Sequence, residues 1–273
     1  MKKRIIIGII LFALFILIDG FFINIYFFKV NEKEIYVDNL PDSFKGFKIL
    51  QFSDLLISNN RDFKKLKKVV KQINELKPDI IVFTGDLINK NYNLSSEGKQ
   101  NLINILNNLD CELYKYAVIG DNDNKNITLY EDIMTNSNFI VLNNESTYLF
   151  YKDPTPIKIT GLTNLDNIQK SFEITDNLNT ITNIVLTHYP DYVLNLDQNV
   201  NQIILAGHSL NGQIHLPFIG GIIKKDNAKK YISDYYKIVN TNLYISGGLG
   251  TDNIPFRLFN RPEINLYRLK NNN

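Results

Sequence analysis

Five apolar runs in this chain end alike. FKILQFSD closes on Ser53-Asp54, DIIVFTGD on Gly85-Asp86, LYKYAVIGDND on Gly120-Asp121, TNIVLTHYPD on Thr187-His188 and NQIILAGHS on Gly207-His208. The runs are short and continuous rather than alternating, the pattern of strands buried on both faces. Segments of helical period lie between the first three. RDFKKLKKVVKQINELKPD sets Phe63, Leu66, Val69, Val70, Ile73 and Leu76 on one face and stops at Pro78. SSEGKQNLINILNNLD does the same with Leu102, Ile103, Leu106 and Leu109. Alternating buried strands and helices predict an α/β layered fold. Strand C-termini share one edge of such a sheet, so the five polar ends can meet.

One aspartate at a strand end is as readily an N-cap or turn former as a ligand. Five strand ends carrying Asp or His are hard to assign to caps alone. Asp and His together suit a hard to borderline divalent cation such as Mn, Fe, Zn or Co. The single cysteine, Cys111, excludes an intrachain disulfide framework and a thiolate zinc cluster. A net charge of +2 supplies no basic field, so no nucleic-acid partner is expected. TYLFY and PIKITGL are read as strands, followed by a polar, poorly patterned stretch. NLYISGGLG and PEINLYRLK are read as closing strands.

The N-terminus, MKKRIIIGIILFALFILIDGFFINIYFFKV, is apolar over residues 5–18 and 21–28, interrupted by Asp19-Gly20. As one helix, residues 5–28 would extend roughly 36 Å and cross a bilayer core with some tilt. Asp19 costs roughly 3 kcal/mol near the centre, and the many Ile, Leu and Phe outweigh it. A signal peptide is the competing reading, but no small-x-small cleavage site follows the first run. Residues 1–29 are therefore assigned to an uncleaved single-pass membrane anchor and residues 30–273 to one domain. Lys2, Lys3 and Arg4 place the N-terminus in the cytoplasm and the domain outside it.

The order Asp, Gly-Asp, a Gly-Asp-Asn-Asp element, a lone His and then Gly-His resembles the calcineurin-like metallophosphoesterases. The tail GQIHLPF…LYISGGLG…RLFNRPEINLYRL is similar to the membrane-anchored bacterial branch of that family, the phosphodiesterase or UDP-diacylglucosamine pyrophosphatase-like proteins. The resemblance implies a four-layer α/β/β/α sandwich, preceded here by one transmembrane helix, and a site for two metals about 3 to 4 Å apart. It implies metal ligands at Asp86, Asp121, His188 and His208, with Asp54 a weaker one. It also marks departures. Leu56 and Leu210 stand where the family has histidines of the first metal site, Asp121 replaces an asparagine ligand, and Asn122 replaces the catalytic histidine. No catalytic residue is therefore assigned.

What the resemblance implies is a membrane-anchored protein holding one divalent ion, Mn, Fe or Zn, with a second metal doubtful. Its expected activity is hydrolysis of a phosphodiester or phosphomonoester, weak or altered through the missing metal site and histidine. A phosphorylated small molecule or lipid is the expected partner. The alternative is a pseudoenzyme that binds one metal and a phosphorylated ligand or partner. Asp123 is expected to orient its loop through backbone amides, His215 to be structural, and Arg261 and Glu263 to form a structural pair.

Overall fold

The computed structural model of the chain describes residues 2–166 and 181–272. The apolar N-terminus forms α1 (Lys2–Ile18), continued by a π-helical turn over Asp19–Ile23. Its apolar side chains are almost all exposed, and the 22-residue run Lys2–Ile23 is long and apolar enough to cross a membrane. The helix is shorter than the expected residues 5–28. The Asn24 side-chain amide donates to the Asp19 carboxylate and the backbone turns there. Lys29 already opens the first strand, β1 (Lys29–Val37), so folded structure begins inside the segment assigned to the anchor.

The remaining elements are β2 (Lys48–Phe52), α2 (Asn60–Leu76), β3 (Ile80–Phe83), α3 (Ser96–Asn107), β4 (Lys115–Ala117), α4 (Ile127–Asn136), β5 (Phe139–Val141), β6 (Glu145–Tyr151), β7 (Asp153–Leu162), β8 (Asn183–Thr187), β9 (Gln202–Ala206), β10 (His215–Leu216), β11 (Gly220–Gly221), β12 (Tyr235–Ile238), β13 (Thr241–Ile245) and β14 (Glu263–Asn271). Among the described residues twelve of these strands build two six-stranded sheets, ordered β1-β14-β2-β3-β4-β5 and β12-β13-β9-β8-β7-β6, and β10 and β11 pair as a separate two-stranded hairpin. The first is parallel from β2 to β5 and the second from β13 to β7.

Local chemistry sets the helix limits. A reciprocal capping box between Asn59 and Asp62 starts α2, and Lys77 in the left-handed region ends it before Pro78. Ser95 caps α3 through the Gly98 amide. Phe63, Leu66, Val69, Val70 and Ile73 of α2 pack with Leu102 and Leu106 of α3 onto Leu50, Phe52, Ile81 and Phe83 of the first sheet. The opposite face of that sheet, through Ile49, Ile80 and Val82, packs onto Ile159, Ile184, Leu186, Ile203 and Leu205 of the second. Beyond the second sheet, Val185, Ile204 and Ile245 pack under Tyr192 and Val193 of a short 3-10 helix (Pro190–Asn195). Among the described residues this outer layer is therefore a 3-10 helix and loops. Most of the polar stretch after β7, residues 167–180, lies outside them.

Candidate metal centre

The expected strand ends converge. β2 delivers Asp54, β3 Asp86, β4 Asp121, β8 His188 and β9 His208, from both sheets onto one edge. Ligand atoms of Asp86, Asp121, His188 and His208 all lie within 4.8 Å of one another. His188 Nε2 is 3.3 Å from Asp121 Oδ1 and 3.5 Å from Asp86 Oδ2, and His208 Nδ1 is 3.3 Å from Asp121 Oδ1. Asp86, His188 and His208 are buried; the Asp121 side chain is 44% exposed and opens the cluster to solvent.

Both imidazoles are held from behind. His188 Nδ1 donates to the Thr84 carbonyl at 2.7 Å, and His208 Nε2 to the Asp226 carbonyl at 2.8 Å. A carbonyl only accepts, so these nitrogens carry the protons. The inward atoms, His188 Nε2 and His208 Nδ1, then present lone pairs to each other at 3.0 Å. Two lone pairs facing each other beside two carboxylates need a shared cation, and outer nitrogens fixed by carbonyls are how metal-ligating histidines are oriented. The donor set thus fits a divalent ion. Without one, the same field retains a proton. Burial alone would lower the His188 pKa, but the charges of Asp86 and Asp121 raise it well above the ordinary histidine value. Burial would likewise raise Asp121, but hydrogen bonds from the two imidazoles hold it far below the carboxylate range.

Asp54 adjoins this cluster at His208. Its Oδ2 accepts from Ser53 Oγ at 2.6 Å and from the His208 amide at 3.1 Å, while its buried Oδ1 has no hydrogen-bond partner. It both positions His208 and presents one free carboxylate oxygen. Asp123 orients its loop as expected, accepting from the amides of Asp86, Leu87 and Gly120. Asn122 is tied at both ends: Nδ2 donates to Asp86 Oδ2, and Oδ1 accepts from the Lys90 amide.

Leu56 and Leu210 are buried beside the cluster. A Cβ added to Gly248 would meet Leu210 Cδ2 at 2.7 Å and Asp54 Cβ at 2.8 Å, and one on Gly250 would meet Leu56 Cβ at 2.7 Å. The backbone there is left-handed, with φ of +50 at Asp54, +47 at Leu56, +64 at Asp86, +66 at His208 and +51 at Leu210. For leucine this conformation costs about 1–2 kcal/mol. Such backbone clusters at functional sites, and here it persists where the side chain cannot bind a metal.

Other residues were not legible as site components. Arg257 is fully buried, and its guanidinium donates to the carbonyls of Gly247, Gly248 and Gly250, fixing the turn that covers Asp54 and both leucines. Glu263 pairs with Lys29 at 3.2 Å and accepts from the Gly247 amide, whereas an ion pair with Arg261 was expected. The C-terminal strand brings Glu263 beside β1, a parallel pairing of distant segments. His215 is half-buried at the rim of a polar cavity with Asp19, Lys29 and Arg261, apart from the donor cluster.

Two stacked sheets whose parallel strands aim Asp and His side chains at one shared point define an α/β metallohydrolase. The chain belongs to the calcineurin-like phosphoesterase family, which matches residues 47–212. It is 34% identical over 252 residues to the uncharacterized metallophosphoesterase YkuE of Bacillus subtilis, covering 90% of this chain and 86% of that protein. It is 27% identical to the uncharacterized metallophosphoesterase YkoQ of Bacillus subtilis, covering 88% and 90%. It is 26% identical to the UDP-2,3-diacylglucosamine pyrophosphatase LpxG of Chlamydia trachomatis, covering 78% and 81%. The family's chemistry is phosphoester hydrolysis with divalent metals.

Proposed function

We propose that the chain is a membrane-anchored phosphoester hydrolase with one tightly held divalent ion and slow or altered turnover on a lipid-linked phosphoester or pyrophosphate. The observation that carries it is the inward-facing set Asp86, Asp121, His188 and His208, with both outer imidazole nitrogens fixed by carbonyls. A divalent ion held by Asp86, Asp121, His188 and His208 would supply Lewis acidity toward water and toward a phosphoryl oxygen. Asp121 is the half-open member, where the cluster reaches solvent. Asp86 is turned toward His188 and held by the Asn122 amide.

Asn122 offers no acidic proton to a leaving group, and both ends of its amide are engaged. Loss of a positioned general acid costs about 10²- to 10⁴-fold in rate. That is the reason to expect slow hydrolysis or preference for a substrate whose leaving group needs little protonation, such as a pyrophosphate.

The lipid and membrane assignments rest on apolar surface. Phe218 and Ile219 at the β10–β11 tip, with Ile222, Ile223, Ile254 and Phe259, are all exposed. The loop bearing Ile254 and Phe259 also meets the anchor: Phe256 packs on Phe21 at 4.7 Å between ring centroids, and the Arg257 amide donates to the Gly20 carbonyl. Exposed apolar side chains on loops that meet an apolar helix suit a bilayer interface. Topology follows the N-terminal Lys2, Lys3 and Arg4, with the domain outside the cytoplasm.

A second reading, a pseudoenzyme that binds a phosphorylated ligand without turnover, is favoured by Leu56, Leu210 and Asn122 together. The test is elemental analysis of the detergent-purified chain combined with a screen of phosphomonoesters, phosphodiesters and diacylated pyrophosphates. One metal per chain with metal-dependent release of product supports the hydrolase. One metal with phosphate-competitive ligand binding and no product supports the second reading, and absence of bound metal sinks both.

A further inference from the structure

Two leucines face the side of the cluster where the family places a second cation, and a charge of the same sign stands close by. Lys225 follows the β10–β11 hairpin. The next residue, Asp226, is the one whose carbonyl holds His208 Nε2. Lys225 is therefore anchored one peptide away from a candidate ligand's contact. Its side chain is only 13% exposed and pairs with Asp252 at 3.2 Å. Both line a cavity of about 200 Å³ together with Leu210, Ile214, Ile223 and Ile254.

The opposite wall belongs to the turn after β13. Gly250 donates its amide to the Asp54 carbonyl at 2.6 Å, and Asp252 follows two residues later. Arg257 is the other buried cation on this side, but its Nε and Nη2 are engaged by three backbone carbonyls and it does not line this cavity. Among the described residues Lys225 has one ion-pair partner, Asp252, and it faces the cavity.

We propose that the Lys225 ammonium, braced by Asp252, is a fixed cation that binds a phosphoryl oxygen of the substrate from the Leu210 side of the metal cluster, next to the Asp226 carbonyl that holds His208. This rests on the hydrolase reading above. The ordinary lysine pKa of about 10.4 and the Asp252 carboxylate at 3.2 Å keep the ammonium charged through the neutral range. A phosphate dianion entering between the metal and Lys225 meets positive charge on both sides. Lysine is a point-charge phosphate ligand that needs no coordination sphere of its own. The same charge would disfavour a second metal beside Asp54, consistent with leucine at positions 56 and 210.

The experiment uses the full chain in detergent, loaded with manganese, and follows inorganic phosphate binding by calorimetry alongside metal content. Lys225→Met is expected to keep one metal per chain and to weaken phosphate binding at least about 10-fold, the worth of one charge-assisted hydrogen bond. Lys225→Arg should stay within about 3-fold of the parent, since the charge is retained, and Lys224→Met, an exposed neighbour, should change nothing. Unchanged phosphate affinity in Lys225→Met overturns the assignment. A parent chain that holds no manganese defeats the hydrolase reading itself, a separable outcome. If Lys225→Met does not fold, phosphate protection of Lys225 against acetic anhydride, read by peptide mass spectrometry on the parent, decides; equal labelling with and without phosphate overturns the proposal.

Discussion

Asn122 clasps Asp86. Its backbone amide donates to Oδ1 at 2.9 Å and its side-chain amide to Oδ2, so one residue engages both oxygens of the central carboxylate. Replacing it by histidine keeps the backbone bond but removes the amide donor and the acceptor for the Lys90 N–H. Asn122→His alone is therefore expected to leave hydrolysis within about 3-fold of the parent, because residues acting as one unit are not additive, and to lower stability by about 1–2 kcal/mol. Denaturant melts and initial rates on a phosphodiester check both. A 100-fold gain from this single change would show that the missing acid is the whole deficit.

His188→Ala and His208→Ala should each abolish the bound ion, because each removes one of four inward donors and leaves the rest without a closed set. Asp54→Ala carries a different expectation. Asp54 Oδ2 is the acceptor for the His208 amide, so its loss strips a buried donor, costs about 1–3 kcal/mol and weakens metal retention indirectly. Asp54→Asn, which keeps an acceptor oxygen, should retain the ion. Metal content after gel filtration measures all four.

Removal of metal should expose a pH dependence at Asp123. Burial and the neighbouring Asp86 charge push its pKa up to about 7, against three backbone amides that lower it. The folded state thus holds a proton that the unfolded chain releases near the ordinary aspartate value of about 4. Stability of the chelated protein is expected to fall as pH rises from about 4 to about 7 and to level off above that. Thermal melts in chelator across that range test it; a stability that climbs steadily through the window would reverse the sign.

The five strand ends, the apolar faces of α2 and α3 and the four clustered donors were all legible in the sequence, because continuous apolar runs and 3.6-residue periodicity survive in one dimension. α4 and β5 were not, since polar residues at 124–126 and 135–138 break the pattern around them. β1 was hidden because the consecutive charges Glu32, Lys33 and Glu34 interrupt an edge strand that reads as a tail of the anchor. Arg257 and Lys225 carried no signal at all. Each acts through a turn fixed by long-range contacts, and nothing in RLFN or IKKD marks a buried cation. The error at Glu263 has the same root: its partner, Lys29, is more than two hundred residues away and is supplied by the parallel pairing of β1 with β14.

Truncation distinguishes anchor from domain. A chain lacking residues 1–18 should be soluble and folded, because those residues are almost entirely exposed. Removing residues 1–29 deletes more than the anchor. Lys29 donates its amide to Pro262 and its ammonium to Glu263, Phe28 packs on the helix-side core, and the Ile25 carbonyl accepts from Lys65. The longer deletion should cost on the order of 2 kcal/mol or more, read as a lower melting temperature. The fragment lacking residues 1–18 should still sediment with lipid vesicles, and Phe218→Ser with Ile219→Ser should reduce that. Full solubility in the presence of vesicles would remove the interfacial role of the hairpin.

The strongest test of why turnover would be slow joins the leucines to the lysine. Leu56 and Leu210 keep the left-handed backbone, so histidines placed there need no new main-chain strain. Leu56→His with Leu210→His would present two imidazoles to Asp54, whose Oδ1 has no hydrogen-bond partner. The Lys225 charge opposes a second cation there, so the double variant alone is expected to hold little more than one metal per chain. Adding Lys225→Met should raise the content toward two, and adding Asn122→His to that background should raise phosphodiester hydrolysis by about 10² or more. Asp121 adds negative charge where the family has an amide, so Asp121→Asn is the companion change if two metals bind without a gain in rate. Packing is the opposing force, since both leucines sit against Gly248 and Gly250 with little space. A folded triple variant that still binds one metal would show that the space has closed. Two metals in the double variant with Lys225 intact would show that Lys225 does not guard the site.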